Sequence, residues 1–217
     1  MERIQSVMNM KKINVFETRA SASFSCLTEL ENHLWRDEYP CFIPCRAGLY
    51  AVCGEGIFVR FEADEPCPRA VFENRDDPVY NDSCVEFFFQ PFADDERYIN
   101  FEINPKGAFL CAVGKDRFER VFLSNLSGCN PVVNGHIDSD GWSAELFIPE
   151  QLISDVYGKN FSVSDVEYIR ANFYKCGDLT EQPHYASMFC VETAAPDFHR
   201  PEFFQKIYFS KESDFQL

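Results

Sequence analysis

Three closely spaced strand patterns between residues 84 and 113 constrain the fold of this chain more than any other feature. Apolar and polar residues alternate over residues 84–90 and 97–104, and residues 108–113 form a third, mostly apolar run. A polar turn at 92–96 and the turn Pro105-Lys106-Gly107 separate the three segments. Alternation with a period of two is typical of strands, and short Gly/Pro turns connect neighbouring strands. The segment therefore predicts a three-strand meander.

Strand patterns also occur outside this meander, and helical patterns are short. Further strands are predicted over residues 11–17, 56–63, 132–137, 142–148, 168–175 and 203–209. Leu27, Leu30 and Leu34 have the spacing of one short helix or turn, and residues 149–157 predict a helical turn that ends at Gly158. About ten short strands favour an all-β fold, an antiparallel β-sandwich of jelly-roll or immunoglobulin-like type with one or two short helices.

Composition is that of one globular domain rich in aromatic residues. The chain has 217 residues, of which 46% are hydrophobic, and it contains 23 Phe and 9 Tyr. Aromatic side chains favour packed sheet faces. Because no internal repeat, low-complexity tract or linker interrupts the sequence, we expect a single domain over residues 1–217.

The net charge and the N-terminal sequence indicate which partners and which cellular compartment to expect. The formal net charge of −15 repels phosphate backbones and anionic lipid headgroups, so neither nucleic acid nor a membrane is an expected partner. No export signal is recognisable over residues 1–15, which favours a cytoplasmic protein with reduced, mostly buried cysteines. A trimmed signal peptide would instead imply an extracellular protein and reopen the question of disulfides.

Four segments in this order resemble the family 9 carbohydrate-binding modules, especially the family 9-like domains of bacterial proteins of carbohydrate metabolism. The first three are residues 79–88, which contain Asp82-Ser83-Cys84-Val85-Glu86, residues 98–107, which contain Asn100-Phe101-Glu102, and residues 141–149, which contain Gly141-Trp142-Ser143-Ala144. The fourth is the stretch 170–204, which contains Pro196-Asp197-Phe198-His199-Arg200-Pro201. The resemblance implies a sandwich that binds sugar without cleaving it. Relatives are expected to keep this core while their loops diverge.

The resemblance also implies where a sugar would bind. Two aromatic rings clamp the sugar in the family, and their positions correspond to Tyr80 and Phe198. The family's strand carboxylate corresponds to Glu86, a basic residue of the next strand to Glu102, and an amide-bearing position lies near Tyr174. The hypothesis is that the clamp holds one ring while side chains bind its hydroxyls. Those side chains are Glu86, Glu102, Asn172, Tyr174 and His199.

The strand pattern supports part of this hypothesis independently. Period-two alternation places Glu86 on the face opposite Val85 and Phe87, and Glu102 follows the same logic. If the two strands pair as a hairpin, both carboxylates share one face with Asn100 and Asn104. Such residues are also compatible with a merely solvated face, and two neighbouring carboxylates are compatible with a small glycoside hydrolase.

The leading prediction is non-catalytic binding of a mono- or oligosaccharide by a monomer, with no catalytic residues. One alternative is a family 9-like scaffold that has lost sugar binding and serves as a protein interaction module; a small glycoside hydrolase is a less favoured second alternative. The family resemblance implies structural calcium, for which the acidic loops at 76–77, 94–96 and 138–140 offer oxygen ligands. No zinc motif is recognisable, and no metal ligands are assigned.

Overall fold

The computed structural model describes residues 12–24 and 26–211, and most of them belong to strands. In chain order the strands are β1 (Lys12–Phe16), β2 (Thr28–Glu29), β3 (Asn32–His33), β4 (Cys45–Val52), β5 (Gly56–Ala63), β6 (Cys84–Gln90), β7 (Tyr98–Ile103), β8 (Phe109–Gly114), β9 (Arg120–Phe122), β10 (Val132–Ile137), β11 (Trp142–Pro149), β12 (Tyr168–Cys176), β13 (Tyr185–Ser187) and β14 (Gln205–Lys211). The helix α1 (Glu150–Tyr157) and three single 3₁₀ turns (Val79–Asn81, Leu123–Asn125 and Pro201–Phe203) complete the described secondary structure.

The strands form one hydrogen-bonded path that folds into two layers. Its order is β10-β11-β5-β4-β1-β14-β12-β6-β7-β8-β9, so β1 and β14 connect the layer β10-β11-β5-β4 to the layer β12-β6-β7-β8-β9. This confirms the predicted β-sandwich. Nearly all neighbours are antiparallel, but β1 pairs in parallel with both β14 and β4. The sheet is therefore mixed at the seam between the layers.

The main core fills the space between the layers. Alternate residues of β6, β7 and β12 point into it, among them Phe87, Phe101 and Phe173, and they meet Phe61 of β5 and Trp142 of β11. These five side chains are at most 3% exposed. Burying aromatic side chains of this size contributes a large share of the apolar stabilisation. The residues between them on β6, β7 and β12 necessarily point to the outer face.

Most sequence-predicted elements are present with small shifts of their ends. Strands β5, β6 and β10 have the predicted bounds, and α1 occupies the predicted helical turn and ends at Gly158, which adopts a left-handed φ of 63°. Strand β4 escaped prediction because it is buried on both faces and shows no alternation. Of the short helix or turn predicted over 27–35, the helix is wrong: the segment forms strands β2 and β3 and then a turn.

Cross-strand pairing replaces that helix. Thr28 pairs with Ala47 of β4, and Asn32 pairs with Ser187 of β13. The apolar spacing reflects burial rather than helical periodicity, since Leu30 and Leu34 are 0% and 5% exposed and belong to different clusters on the two sides of the sheet. A turn follows at residues 34–38.

The cysteines are free thiols, but they are not uniformly buried. Cys45, Cys84, Cys111 and Cys176 are buried, whereas Cys26, Cys67 and Cys190 are exposed. The expectation of mostly buried thiols is therefore only partly right. Residues 1–11, which make up most of the segment used for the export-signal argument, lie outside the described residues. Within the described ranges, no helix is both long and apolar enough to cross a bilayer.

Candidate functional site

The outer face of β6, β7 and β12 carries an unusual number of buried polar groups. Glu86, Glu102 and Asn100 project from this face and are 4%, 3% and 0% exposed. In the register of the sheet, Glu86 lies directly opposite Glu102 on one side and Tyr174 on the other. A buried carboxylate is costly unless it is paired or neutralised, so this face needs polar partners.

A covering segment, residues 177–204, encloses this face. It packs Tyr185, Phe198 and Phe204 against outer-face residues of the sheet in a second apolar cluster. A cavity of about 190 Å³ remains between the sheet and the covering segment. Its polar lining consists of Glu86, Glu102, Arg117, Arg120, Cys176, Asp178, Asp197 and His199, and its apolar lining consists of Tyr80, Phe118, Tyr185, Pro196 and Phe198.

The two opposed carboxyl groups have different partners. Cys176 Sγ donates a hydrogen bond to Glu86 Oε1 at 3.0 Å, whereas Glu102 Oε1 accepts from Asn100 Nδ2 at 2.9 Å and from Arg120 Nη1 at 3.4 Å. Burial and the neighbouring Glu102 raise the pKa of Glu86 well above its usual value. Burial also raises the pKa of Glu102, to about 7, against the opposing effect of Arg120. The pair therefore offers both donors and acceptors near neutral pH.

His199 connects Arg120 to the sheet. Its Nε2 lies 3.2 Å from Arg120 Nη1, and its Nδ1 lies 2.8 Å from the hydroxyl oxygen of Tyr98. Arginine can only donate, so Nε2 accepts and the imidazole proton resides on Nδ1, which donates to Tyr98. Burial, with the charge of Arg120 beside it, lowers the pKa of His199 to about 2. A neutral imidazole thus positions the guanidinium at the cavity floor.

Gly114 creates the space through which Arg120 reaches that floor. Arg120 lies on β9 directly opposite Gly114 of β8, which in turn lies opposite Tyr98 of β7. A Cβ at Gly114 would lie 2.9 Å from Cγ of Arg120 and closer still to the carbonyl oxygen of Glu119. Only glycine leaves room for the arginine stem, and the guanidinium crosses β8 to contact Glu102 of β7.

The aromatic rings of the cavity differ in accessibility, and this changes the expected clamp. Phe198 is only 8% exposed and stacks on Tyr174 with a centroid distance of 4.2 Å and an interplanar angle of 12°. Trp35 and Tyr185 contact the same ring. Phe198 is therefore mainly a packing residue of the covering segment. Tyr80 is only partly buried, and Phe118 is 89% exposed, so these two rings are open to a ligand.

Asn172 and Tyr174 do not line the cavity. Asn172 is fully buried, and its side-chain amide bridges backbone groups: Nδ2 donates to Phe189 O, while Oδ1 accepts from the N–H groups of Phe173 and Phe189. Tyr174 lies beneath Phe198 and directs its hydroxyl to the Phe198 carbonyl oxygen at 3.4 Å. The structure places both behind the cavity wall, where they hold the covering segment rather than face a ligand.

Several cavity residues escaped the sequence reasoning. Arg117, Phe118 and Arg120 lie in or just after the turn that follows β8, and Asp178 lies just after β12. The run Lys115-Asp116-Arg117-Phe118-Glu119-Arg120 carries a sequence signal, because a lone Phe among five charged residues has no core to enter. Arg120 also supplies the basic group that the resemblance expects where Glu102 stands.

A separate buried ion pair lies on the inner side of the same sheet. Lys175 is fully buried, and its Nζ lies 3.1 Å from Glu65 Oε2 and 2.6 Å from His184 Nε2. Glu65 also accepts hydrogen bonds from Ser83 Oγ and Trp142 Nε1. Lys175 therefore does not face the cavity, and its charge is balanced within the core.

In the described part of the chain, acidic side chains at 94–96 and 138–140 contact lysines or the backbone of their own turn. Asp94 contacts Lys159, Glu96 contacts Lys115, and Asp138 accepts from the N–H groups of its own turn. Within the described ranges, the only group of three Asp, Glu, His or Cys side chains with ligand atoms close together is Cys84, Glu86 and Cys176. Structural calcium stays a prediction from the resemblance.

Comparison with known proteins agrees with this geometry. The chain aligns over 92% of its length with 98% of a protein from Bacteroides uniformis ATCC 8492, for which carbohydrate binding has been suggested, at 26% identity and a TM-score of 0.75. It also shares its fold with a family 9 module from Caldicellulosiruptor kristjanssonii, solved with cellotriose and with glucose. The identities are 11% and 12% and the TM-scores 0.63 and 0.62, with 95% and 94% of this chain and 97% of that module covered.

A search of curated protein sequences finds no match. The sequence profile described as carbohydrate-binding family 9 matches residues 19–209, which include both layers of the sandwich, the cavity floor and the covering segment. This chain belongs to carbohydrate-binding family 9.

Proposed function

We propose that the cavity binds one ring of a mono- or oligosaccharide and does not cleave it. The observation that carries the proposal is the combination of two open aromatic rings, Tyr80 and Phe118, with a floor of buried carboxyl and guanidinium groups. A pyranose has the same two-sided chemistry, since its C–H face packs on aromatic rings and its hydroxyls require donors and acceptors.

The size of the cavity supports a small ligand. About 190 Å³ is below the roughly 300–1,000 Å³ of sites for drug-sized molecules. One sugar ring with its flanking units exposed matches this volume better than an extended chain buried along its length. Family members from Caldicellulosiruptor kristjanssonii have been solved with glucose and cellotriose, which makes glucose and its β-linked oligomers the first ligands to test.

The hydrogen-bond partners of the two carboxyl groups favour sugar binding over glycoside hydrolysis. Glu86 and Glu102 lie side by side on neighbouring strands of one floor. In a glycosidase the two carboxyl groups must be free to exchange a proton with the substrate or to attack it. Here Arg120 and Asn100 also engage Glu102, while Cys176 engages Glu86. Glu86 and Glu102 are suited to forming hydrogen bonds with sugar hydroxyls on one face of a ring.

The position of Arg120 weakens the alternative of a scaffold that has lost its ligand. Glu102 stands where the family resemblance implies a basic residue, and this charge reversal, together with the absence of Trp at the two clamp positions, favours lost binding. Arg120 returns a cation to the same part of the cavity at 3.4 Å from Glu102. The charge reversal is therefore compensated within the site.

The test is saturation-transfer NMR of the purified protein with glucose, cellobiose, cellotriose and a panel of other mono- and disaccharides. We expect a dissociation constant between micromolar and millimolar, because one ring on two aromatic platforms gains only a few kcal/mol after the cost of association. Tyr80→Ala and Phe118→Ala should abolish transfer. Phe122 is 40% exposed and lies outside the cavity lining, so Phe122→Ala is the matched control and should retain transfer.

Two outcomes would overturn the proposal. One is a folded protein that shows no transfer from any sugar of the panel; the interaction-module alternative would then take its place. The other is binding that survives both cavity substitutions, because the sugar would then occupy a different surface. Release of reducing ends from an oligosaccharide, absent in Glu86→Gln, would instead establish the hydrolase alternative.

A further inference from the structure

Three potential metal ligands meet at the base of the cavity. Cys84 is the first residue of β6, and Glu86 follows it on the same face because strand side chains alternate. Cys176, the last residue of β12, lies directly opposite Cys84 in the antiparallel register. The three side chains are therefore brought together by the sheet itself rather than by flexible loops.

Their ligand atoms are close enough to share one ion. The two Sγ atoms and a carboxylate oxygen of Glu86 all lie within 4.8 Å of one another, and Cys176 Sγ lies 3.0 Å from Glu86 Oε1. Zinc bond lengths of about 2.3 Å to sulfur and 2.0–2.2 Å to oxygen place tetrahedral ligand atoms roughly 3.5–3.8 Å apart. The observed cluster needs only small side-chain rotations to reach that spacing.

Beside these three ligands, two buried oxygen atoms on the outer face of β7 lack a hydrogen-bond donor within the described ranges. Glu102 Oε2 and Asn100 Oδ1 are buried acceptors without a hydrogen-bond partner among the described residues, and Glu102 is directly opposite Glu86. Buried acceptors of this kind cost free energy unless a cation, a donor or water reaches them. Glu86, Glu102 and Cys176 all line the cavity, so an ion bound to the cluster would have an open coordination position.

We propose that Cys84, Cys176 and Glu86 form a zinc site whose fourth position opens into the cavity. Two thiolates and one carboxylate suit a borderline-soft dication, whereas calcium and magnesium require oxygen ligands. Binding releases the two thiol protons to solvent, together with the proton that Glu86 carries when its carboxyl group is protonated, and it replaces the Cys176–Glu86 hydrogen bond by coordination to both groups. Three protein ligands and one open position distinguish this arrangement from closed structural zinc sites. The zinc site goes beyond the proposed sugar binding and does not depend on it.

The test is titration of the reduced protein with Co²⁺, read by absorbance in the absence of sugar. We expect a thiolate-to-cobalt charge-transfer band and visible ligand-field bands that saturate at one equivalent and are displaced by Zn²⁺. Cys84→Ser and Cys176→Ser should each remove about half of the charge-transfer intensity. Cys45→Ser, which alters a buried thiol outside the cluster, is the matched control and should leave the spectrum unchanged.

Wild-type protein alone provides a second measurement should a serine variant fail to fold. The ¹¹³Cd NMR shift of the one-equivalent cadmium complex should lie between those of all-oxygen and four-sulfur sites. The proposal is overturned by the absence of a charge-transfer band, by a band that survives both serine substitutions, or by a cadmium shift typical of oxygen ligands alone. Because neither readout contains sugar, failure here is distinguishable from failure of sugar binding.

Discussion

Arg120 Nη1 lies 3.4 Å from Glu102 Oε1, although the two residues are separated by the whole width of β8. The guanidinium reaches across Gly114, and His199 holds it from the covering segment. One arginine thus connects the edge strand, the central floor and the segment that covers the cavity. This connection makes Arg120 the residue whose loss should affect binding and stability together.

Arg120→Ala should weaken sugar binding at least tenfold and lower the free energy of unfolding by about 2 kcal/mol. The substitution removes a charged hydrogen-bond donor from a carboxylate that is only 3% exposed, and such bonds contribute roughly 1.5–3 kcal/mol. NMR titration and urea unfolding measure the two effects. Arg60→Ala removes a partly exposed ion pair with Glu62 and Glu145 in the other layer, and it should leave sugar binding unchanged.

Phe118→Ala should leave the stability of the protein almost unchanged, whereas Phe198→Ala should lower it strongly. Phe118 is 89% exposed, so its truncation should change the free energy of unfolding by less than about 0.5 kcal/mol while sugar binding is lost. Phe198 packs on Tyr174, so its truncation should cost about 3–5 kcal/mol. Urea unfolding monitored by circular dichroism separates the two. Equal losses of stability would contradict the assignment of Phe118 as the exposed wall of the cavity.

His184 should make the protein less stable as the pH falls. Burial and Lys175 lower its pKa from 6.5 to about 4, so between these values the unfolded chain binds a proton that the folded protein does not. The contribution of neutral His184 to the free energy of unfolding is complete above pH 6.5. Below that pH it falls by about 1.4 kcal/mol per pH unit, which gives a loss of about 2 kcal/mol at pH 5.

The measurement compares urea unfolding at pH 7.5 and pH 5.0 for the wild-type protein and His184→Gln. Glu86 and Glu102, whose pKa values are raised, act in the opposite direction, but they are present in both proteins and cancel in the comparison. The pH-dependent loss should be smaller in His184→Gln by about 2 kcal/mol. An identical loss in both proteins would show that His184 is protonated normally in the folded state.

Replacing only Lys175 of the buried Lys175–Glu65 ion pair should destabilise the protein far more than replacing both residues. Lys175→Met leaves the Glu65 carboxylate buried without its cation and should cost about 3–5 kcal/mol. Adding Glu65→Gln should recover more than half of that loss, because no unpaired charge remains. Thermal unfolding of the four proteins of this cycle measures the coupling, and additive effects would contradict it. Lys106→Met, in an exposed pair with Glu73, should produce no measurable change.

The sequence predicts this fold best where one face of a strand is buried and the other is not. Residues 59–63 and 142–148 alternate between buried and more accessible side chains, and the structure has strands β5 and β11 there. Strand β4 is buried on both faces and carries no such signal, whereas Leu27, Leu30 and Leu34 carry a helical signal for what are short strands. Local spacing cannot distinguish these cases, because distant strands decide which residues are buried.

The sequence predicts only those cavity residues that local strand alternation brings together. Glu86 and Glu102 share a face because of period-two alternation in a local hairpin, and sequence suffices for that inference. Asn172 has the same alternation, but the backbone of Phe189 takes up its amide. The lone Phe118 in a charged run marks an exposed ring, but the surface that Phe118 and Arg120 join depends on how their turn folds over a neighbouring strand. Residues brought together by loops therefore required the structure.

The parallel seam in the middle of the sheet has a consequence for the order of folding. Lys12 of β1 pairs with Tyr208 of β14, so the strands at opposite ends of the described chain lie side by side. The hairpins of β4–β5 and β6–β9 can form locally while a nascent chain is still being synthesised, but the two layers cannot be joined until residues 205–211 have left the ribosome. Contacts between residues so far apart in sequence are slow to form. The part of the cavity floor on β6–β9 is thus available for pairing before the covering segment, and ligand binding should be acquired only after residues 177–204 have been synthesised.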